Sequence, residues 1–257
     1  MEAKTLIYDG TFDGFLSAVF LVFEQKIESV TIQNEFVAQT GLFSENETVI
    51  TDIEKANRVW KGIKAKLSSS GSYQLYYSFL SEINGIENTM LDVVKYAFQK
   101  SLKVDKDFSH PSVLKVAQTA KIVGREKHRM EAFVRFRLTK DNVYFASIEP
   151  DFNVLPLILK HFKRRYADQK WMIYDINRHY GLYYDLEKVE FVNMEFPQHF
   201  DFTKSETDYF VDQEFEFQKL WQDYFKSTNI KERKNMKLHM RHVPKRYWKY
   251  LSEKQSD

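Results

Sequence analysis

The segment FVRFRLTKDNVYFASI, residues 133–148, decides the fold class because apolar and basic residues alternate in its first part. In FVRFRL, Val134, Phe136 and Leu138 fall on one face of an extended chain, and Arg135 and Arg137 fall on the other. The turn residues KDN then lead into VYFASI, a second run with the composition of a strand. This pattern predicts a β-hairpin.

Helices are predicted on both sides of this hairpin. Upstream, PSVLKVAQTAKIVGREKHRMEA begins with Pro111, a residue suited to a first helical turn. Downstream, DFNVLPLILKHFKRRYADQ has an apolar face opposite Lys160, Lys163 and Arg164. Further strands are predicted at WMIYDI, GLYYD and KVEFV, and another helix at EFQKLWQDYFK. Residues 109–257 therefore form a predicted α+β region, with helices on a mainly antiparallel sheet and a basic helical segment at the end.

The preceding residues, 1–108, have the pattern of a mixed α/β region. TLIYDGTFDGFLSAVFLVFEQ predicts a strand, a turn and a helix that starts near Asp13, and TVITDIEKANRVWKGIKAKL repeats this order after the strand SVTIQNE. SSSGS, residues 68–72, is predicted to be flexible, and the helix NTMLDVVKYAFQKSL is expected to bury Phe98. The boundary is placed before Pro111, and one continuous domain is the alternative.

Composition excludes several classes of protein. The chain has 257 residues, of which 43% are hydrophobic and 16% aromatic, values typical of a globular protein. It contains no cysteine, which excludes disulfides, thiolate nucleophiles and protein-ligated iron–sulfur clusters. FLSAVFLVF is too short to cross a membrane, and the first residues lack a secretory pattern, so a cytoplasmic protein is expected.

Basic residues are clustered although the formal net charge is only +2. Three groups occur in the second half of the chain: Lys121, Arg125, Lys127 and Arg129, continued by Arg135 and Arg137; Lys160, Lys163, Arg164 and Arg165; and Lys234, Lys237, Arg241, Lys245, Arg246 and Lys249. If the groups share one face, DNA is the natural partner, because phosphate backbones bind clustered cations. Ordinary solvated surfaces, RNA or an anionic protein are the alternatives.

Candidates for catalysis are fewer. Asp9 and Asp13, in YDGTFDG, could hold a divalent metal at the end of a strand, but a turn glycine with Asp13 capping the next helix is the favoured interpretation. His128 and His242 could transfer protons. No GxGxxG, Walker, GxSxG or HExxH motif is present, so a binding protein is favoured over an enzyme, and no metal site is predicted.

Four long segments carry a resemblance to a known family: YDGTFDGFLSAVF, REKHRMEAFVRF, PDFNVLPLILKHFKRRYADQKWMIYDINRHYGLYYD and KLHMRHVPKRYWKYL. They resemble a bacterial family of DNA metabolism and DNA repair proteins that carry a domain of unknown function. Such proteins are typically encoded beside a DNA repair radical SAM protein, and in some bacteria a similar domain is fused to a member of the uracil-DNA glycosylase superfamily. The resemblance spans essentially the whole chain, but it supplies no catalytic residues.

The resemblance implies a DNA partner and a radical SAM protein partner. Any iron–sulfur cluster and S-adenosylmethionine would belong to that partner, so no cofactor is expected in this chain. Together with the basic groups, it defines the candidates for DNA contact: Arg125, Lys127, His128, Arg129, Arg135, Arg137, Lys163, Arg164, Arg165, Lys237, Arg241, His242, Lys245, Arg246 and Trp248.

Three hypotheses about function follow. The leading hypothesis is a DNA-binding accessory protein of a repair system that presents damaged DNA to a radical SAM partner. The second is a metal- or histidine-dependent enzyme that acts on DNA or nucleotides. The third is a scaffold that binds the partner protein rather than DNA. In the first, KNMKLHMRHVPKRYWKYL, residues 234–251, contacts phosphates and is anchored to the core by Tyr247, Trp248 and Leu251.

Overall fold

The computed structural model describes residues 4–36, 45–197, 200–203, 209–211, 240 and 243–254. The chain forms two compact units, Met1–Gly124 and Arg125–Asp257. The boundary that the sequence places between residues 108 and 109 stays a prediction.

The first unit is built on a small parallel sheet. Its central strand β1 hydrogen-bonds to β2 on one side and β3 on the other, and both pairings are parallel. A parallel pair requires a crossover connection, which α1 supplies between β1 and β2. The predicted mixed α/β character of this part is confirmed. Its elements are β1 (Lys4–Tyr8), α1 (Phe12–Glu24), β2 (Val30–Asn34), β3 (Glu45–Thr48), α2 (Ile53–Lys66), α3 (Ser69–Phe79), α4 (Ile86–Gln99) and the first part of α5 (Pro111–Phe133).

Apolar residues from the sheet and helices form the core of the first unit. Leu6 and Ile32 face each other across β1 and β2, and both are fully buried. Ile63 and Met90 are also buried in this core, from α2 and α4. The expectation that Phe98 is buried is wrong, because its side chain is 40% exposed.

The start of α3 differs from the sequence expectation. Residues 68–72 are not a flexible linker, since Ser68 is the N-cap of α3 and its Oγ accepts a hydrogen bond of 3.0 Å from Gly71 N. Asp105 fixes Ser68 by accepting hydrogen bonds from its amide and its hydroxyl, at 3.0 Å and 2.6 Å. A tertiary contact therefore orders a serine- and glycine-rich stretch that is flexible by composition alone.

The second unit contains a five-stranded sheet in the order β4-β5-β6-β7-β8. The pairs β4–β5, β6–β7 and β7–β8 are antiparallel, whereas β5 and β6 are parallel and α6 connects them. The prediction of a mainly antiparallel sheet with helices is confirmed. The elements are the last part of α5, β4 (Arg137–Leu138), β5 (Tyr144–Ile148), α6 (Leu155–Arg165), β6 (Trp171–Asp175), β7 (Tyr180–Tyr184), β8 (Val189–Val192) and the 3-10 helices Lys245–Tyr250 and Ser252–Lys254.

The hairpin predicted from FVRFRLTKDNVYFASI exists, but its first strand is short. Helix α5 continues to Phe133, and β4 contains only Arg137 and Leu138. Arg137, a candidate for DNA contact, is not an exposed residue, since its side chain is buried at 9% exposure. Its guanidinium lies 4.6 Å from the centre of the Phe210 ring and donates to the carbonyl of Phe202 at 2.9 Å. A cation–π contact and a hydrogen bond thus compensate for the burial of this charge.

Aromatic residues dominate the interior of the second unit. Trp171 is fully buried and lies within 6.2 Å of the Phe162 ring and 5.5 Å of the Tyr184 ring, measured between centroids. Tyr247 and Leu251 are each 2% exposed, which confirms the predicted anchoring of the end of the chain by these two residues. The helix predicted at EFQKLWQDYFK lies outside the described residues. Across the described ranges, we find no helix with the length and apolar character needed to cross a bilayer.

Candidate nucleic-acid interface

The last two turns of α5 form an exposed ridge in the second unit. Arg125, His128 and Ala132 are exposed and follow each other at helical spacing, so they lie on one side of α5. Glu126 and Glu131 leave α5 on either side of this ridge, and both are largely buried. Each of these carboxylates contacts a different neighbouring element, so the ridge has a defined flank on each side.

Glu131 joins the ridge to α6. Its carboxylate lies 2.5 Å from Nζ of Lys127 and 3.8 Å from Nδ1 of His128, both on α5. It also lies 3.8 Å from Nδ1 of His161 on α6. Arg164 and Arg165 follow His161 by one helical turn and are exposed. The basic end of α6 is therefore beside the α5 ridge.

Glu126 joins the other flank to the 3-10 helix Lys245–Tyr250. Its carboxylate is 1% exposed and accepts hydrogen bonds from the hydroxyl of Tyr247 and from the backbone amide of Asp151. Arg129 pairs with it at 3.1 Å, and Arg246 lies 3.6 Å away while also pairing with Asp151. The carboxylate thus has a full set of partners, which a buried charge requires.

The pKa values of Tyr247 and Arg246 are shifted by burial and by the charges around Glu126. Burial raises the pKa of Tyr247 strongly, and the hydrogen bond and negative charge of Glu126 raise it further. Burial acts to lower the pKa of Arg246, but contacts with Tyr247, Asp151 and Glu126 raise it overall. At neutral pH Tyr247 is therefore a neutral hydrogen-bond donor and Arg246 a cation.

A second contact holds the 3-10 helix to the end of β5. Glu149 accepts a hydrogen bond of 2.7 Å from the hydroxyl of Tyr250 and pairs with Lys249 at 2.5 Å. Burial acts to raise the pKa of Glu149, but these hydrogen bonds and the charge of Lys249 lower it below its usual value. The 3-10 helix is consequently held by two contacts, Tyr247 with Glu126 and Tyr250 with Glu149, while Lys245 remains exposed.

The loop that contains Asp151 is itself supported from the turn after β6. Arg178 donates to the carbonyls of Pro150 and Asp151, at 3.1 Å and 3.3 Å. It also pairs at 3.0 Å with Asp175, a fully buried carboxylate whose pKa is raised by burial despite the opposing charge of Arg178. Asp175 and Arg178 thus position the backbone that presents Asp151 to Arg246.

The basic face consists of the exposed basic side chains around the ridge: Arg125 on α5, Lys160, Arg164 and Arg165 on α6, and Lys245 and Lys249 on the 3-10 helix, with the exposed imidazole of His128 beside them on α5. These residues therefore lie on α5 and on two elements that contact it, α6 through Glu131 and the 3-10 helix through Glu126. Within the described ranges, Arg125, Lys160 and Arg164 have no ion pair with a carboxylate. Arg165 and Lys245 also have no ion pair with a carboxylate in these ranges; Arg165 donates to the hydroxyl of Tyr166, and Lys245 lies over the Trp248 ring.

Several candidates for DNA contact have other roles. Lys127 and Arg129 pair with Glu131 and Glu126, and Lys163 donates to the carbonyl of Glu187 at 2.7 Å. Arg135 donates to the carbonyls of Ala132 and Val134, and Arg137 is buried as described above. The indole of Trp248 donates to the carbonyl of Val243 at 3.1 Å, with Lys245 and Lys254 over its ring. Lys237, Arg241 and His242 lie outside the described residues.

Asp9 and Asp13 lie in the first unit and have separate roles. One oxygen of Asp9 accepts from the amide and hydroxyl of Thr11, at 2.9 Å and 2.7 Å, and the other accepts from the hydroxyl of Thr51 at 2.7 Å. Burial acts to raise the pKa of Asp9, but these hydrogen bonds lower it. The N-cap of α1 is Thr11, so the expectation that Asp13 caps the helix is wrong. The described residues include no group of three or more His, Asp or Glu placed to hold a metal ion.

The carboxylates that organise the basic face were missed at the level of sequence. Glu126, Glu131, Asp151 and Asp175 are not among the residues that the sequence patterns single out. The only signal in the sequence is that acidic residues alternate with basic ones in REKHRME. The pairs Arg129–Glu126 and Lys127–Glu131 are local, but the contacts of these carboxylates with Tyr247 and His161 join positions far apart in the chain.

Residues 84–253 match the family model of DUF4130, a domain of unknown function. The chain belongs to the DUF4130 family. This confirms the predicted resemblance at the level of the domain, while the DNA repair context stays a prediction. All residues of the basic face fall within the matched range.

The other comparisons add little. No curated protein matches the chain. A solved structure described as the pGpG-specific phosphodiesterase PggH from Vibrio cholerae matches with a TM-score of 0.36 and 9% identity, over 70% of this chain and 81% of that chain. At these values the likeness supports no conclusion about fold or activity.

Proposed function

We propose that this protein binds DNA through the basic face and acts as an accessory protein of a bacterial DNA repair system. The observation that carries the proposal is the position of Arg125, Lys160 and Arg164. They are exposed, they have no ion pair within the described ranges, and they lie on and beside one ridge. Clustered cations of this kind bind phosphate groups with release of counterions.

The neighbouring carboxylates support this role by fixing the elements that carry the cations. Glu126 holds the 3-10 helix against α5, and Glu131 lies between α5 and α6. Because Glu126 pairs with Arg129 and Glu131 pairs with Lys127, the negative charge of each carboxylate is offset by a cation beside it. The basic face therefore combines fixed geometry with a local excess of positive charge.

The proposed partner is a radical SAM protein in the cytoplasm, to which this chain presents damaged DNA. Its support is the family resemblance seen in REKHRMEAFVRF and KLHMRHVPKRYWKYL, segments that contribute to the basic face. The chain has no cysteine, so the iron–sulfur cluster and S-adenosylmethionine of the system would reside in the partner.

The test is a salt series with labelled single- and double-stranded DNA. The double variant Arg125→Glu/Arg164→Glu is compared with Lys106→Glu/Lys140→Glu, in which two exposed lysines outside α5, α6 and the 3-10 helix are reversed. We expect wild type and the control to show the same steep decrease of log affinity with log salt concentration. The test variant should flatten that slope by about two on duplex DNA, since each phosphate contact contributes about 0.9.

Two results would overturn the proposal. Equal loss of affinity in the test and control variants would show that only total charge matters. Absence of DNA binding by wild type, together with copurification of a protein partner after nuclease treatment, would support a scaffold instead.

A further inference from the structure

The first unit contains a cleft of about 560 Å³ that shares no lining residue with the basic face. It lies among α1, α2 and α3, and its lining combines four aromatic side chains and Leu16 with five polar ones. Its volume is in the range of small-molecule sites, which are about 300–1,000 Å³ and have this type of lining. The residues that matter for the argument are Phe12, Asp13, Asn57, Trp60, Lys64 and Tyr73.

The aromatic walls are held in place by ring packing. Phe12 contacts Trp60 and Tyr76 in edge-to-face arrangements, with centroids 5.2 Å and 5.0 Å apart. Trp60 and Tyr76 are only partly buried, and Tyr73 at the rim is 66% exposed. An exposed tyrosine and a partly exposed tryptophan that line the same cleft offer flat apolar surfaces that a planar ring could cover.

Polar groups of both signs accompany these rings. Nζ of Lys64 lies 5.0 Å from the centre of the Trp60 ring, so a cation stands at the aromatic wall. Asp13 and Asn57 also line the cleft. The pKa of Tyr76 is raised, mainly by burial of its hydroxyl and in addition by the negative charge of Asp13. A planar heterocycle with amino groups and an attached phosphate would match aromatic faces, a carboxylate and a lysine within one cleft.

We propose that this cleft binds a nucleoside monophosphate, with the base against Trp60 and Tyr73 and the phosphate at Lys64. Asp13 and Asn57 would accept or donate hydrogen bonds at the edge of the base. The site lies before residue 84 and thus outside the range of the DUF4130 match. It requires no DNA binding by the basic face.

The test uses saturation-transfer NMR and calorimetry with adenosine monophosphate, ribose 5-phosphate and inorganic phosphate as probes. Adenosine monophosphate should bind, and ribose 5-phosphate should bind at least tenfold more weakly because it has no base to stack. Tyr73→Ala should weaken the binding of adenosine monophosphate about tenfold. Lys64→Gln should also weaken the binding of adenosine monophosphate, but it should leave the affinity for adenosine, measured as an additional ligand without phosphate, unchanged. Leu102→Ala, at a site in the same unit that is 83% exposed, is the matched control and should bind as wild type does.

The outcomes separate this site from the basic face. Arg125→Glu/Arg164→Glu should bind adenosine monophosphate normally, whatever its affinity for DNA. No binding of adenosine monophosphate at millimolar concentration would overturn the inference. So would equal binding of all three probes, or binding that Tyr73→Ala and Lys64→Gln leave unchanged.

Discussion

The buried carboxylate of Glu126 accepts a hydrogen bond from the hydroxyl of Tyr247, 121 positions further along the chain. The two side chains are 1% and 2% exposed. A carboxylate in this environment is stable only when charges and hydrogen bonds replace its hydration. Arg129 and the amide of Asp151 complete that replacement. The pair therefore attaches the 3-10 helix to α5 and fixes the position of Lys245 and Arg246 on the surface.

Removing the hydroxyl from this pair should destabilise the protein. Tyr247→Phe keeps the ring, which packs 5.6 Å from the Phe133 ring, but leaves the Glu126 carboxylate with one donor fewer. We expect a loss of about 1–2 kcal/mol in the free energy of unfolding, measured with urea and circular dichroism. Tyr73→Phe is the matched control, because Tyr73 is 66% exposed, and should change stability by less than about 0.5 kcal/mol. Equal unfolding curves for the two variants would contradict a stabilising role of the pair.

Acid should weaken the contact between Glu149 and the 3-10 helix. The pKa of Glu149 in the folded protein is below its usual value, since hydrogen bonds from Lys249 and Tyr250 outweigh burial. Such a carboxylate contributes stability above its unfolded pKa of about 4.3, and that contribution is lost as pH falls through the lower folded value. Unfolding measured between about pH 6 and pH 2.5 should therefore show a smaller loss for Glu149→Gln than for wild type. Glu195→Gln, at an exposed position, should retain the wild-type pH dependence, and parallel curves for all three proteins would refute the assignment.

Local sequence signals predicted much of this fold. Pro111 begins α5 as its fixed backbone angle suggests, and the apolar face of α6 buries Ile158 and Phe162. Strands β1 and β2 occur where short apolar runs are followed by turn residues. These features depend on residues close together in the chain, so a single sequence contains the information for them.

Two departures from the sequence expectation, the burial of Arg137 and the order of residues 68–72, share one physical cause, which is contact between distant positions. Arg137 is buried because the rings of Phe145 and Phe210 and the carbonyl of Phe202 surround it. The alternation of residues in FVRFRL does not indicate these contacts. Ser68 is ordered by Asp105, 37 positions away. The basic clusters were visible in the sequence, but the buried Glu126 that organises one flank of the ridge was not.

The start of α3 should be sensitive to small changes. Ser68→Ala removes both the cap of α3 and a donor to Asp105, so we expect a loss of about 1–2 kcal/mol in thermal or chemical unfolding. Gly71→Ala should cost more, because its new Cβ would lie 2.5 Å from the Cβ of Asp105. Ser70→Ala changes an exposed residue of the same stretch and should be nearly neutral. If all three variants unfold alike, residues 68–72 are not ordered by Asp105.

Variants at Arg137 and Arg164 should distinguish an effect on stability from an effect on DNA affinity. Arg137→Met keeps an apolar side chain near the Phe210 ring but removes a donor to the carbonyl of Phe202, to which the hydroxyl of Ser147 still donates. We expect a loss of about 1–2 kcal/mol in stability, with unchanged DNA affinity per folded molecule. Arg164→Met removes an exposed cation on α6 and should leave stability within about 0.5 kcal/mol of wild type.

The same two variants give opposite results in a salt series if the basic face is the DNA contact. Arg164→Met should flatten the dependence of log affinity on log salt by about one, whereas Arg137→Met should retain the wild-type slope below its unfolding temperature. Both proteins lose one positive charge, so a difference between them reports position rather than net charge. An equal flattening by Arg137→Met would mean that its guanidinium reaches DNA, which requires β4 to leave the position beside Phe202 and Phe210.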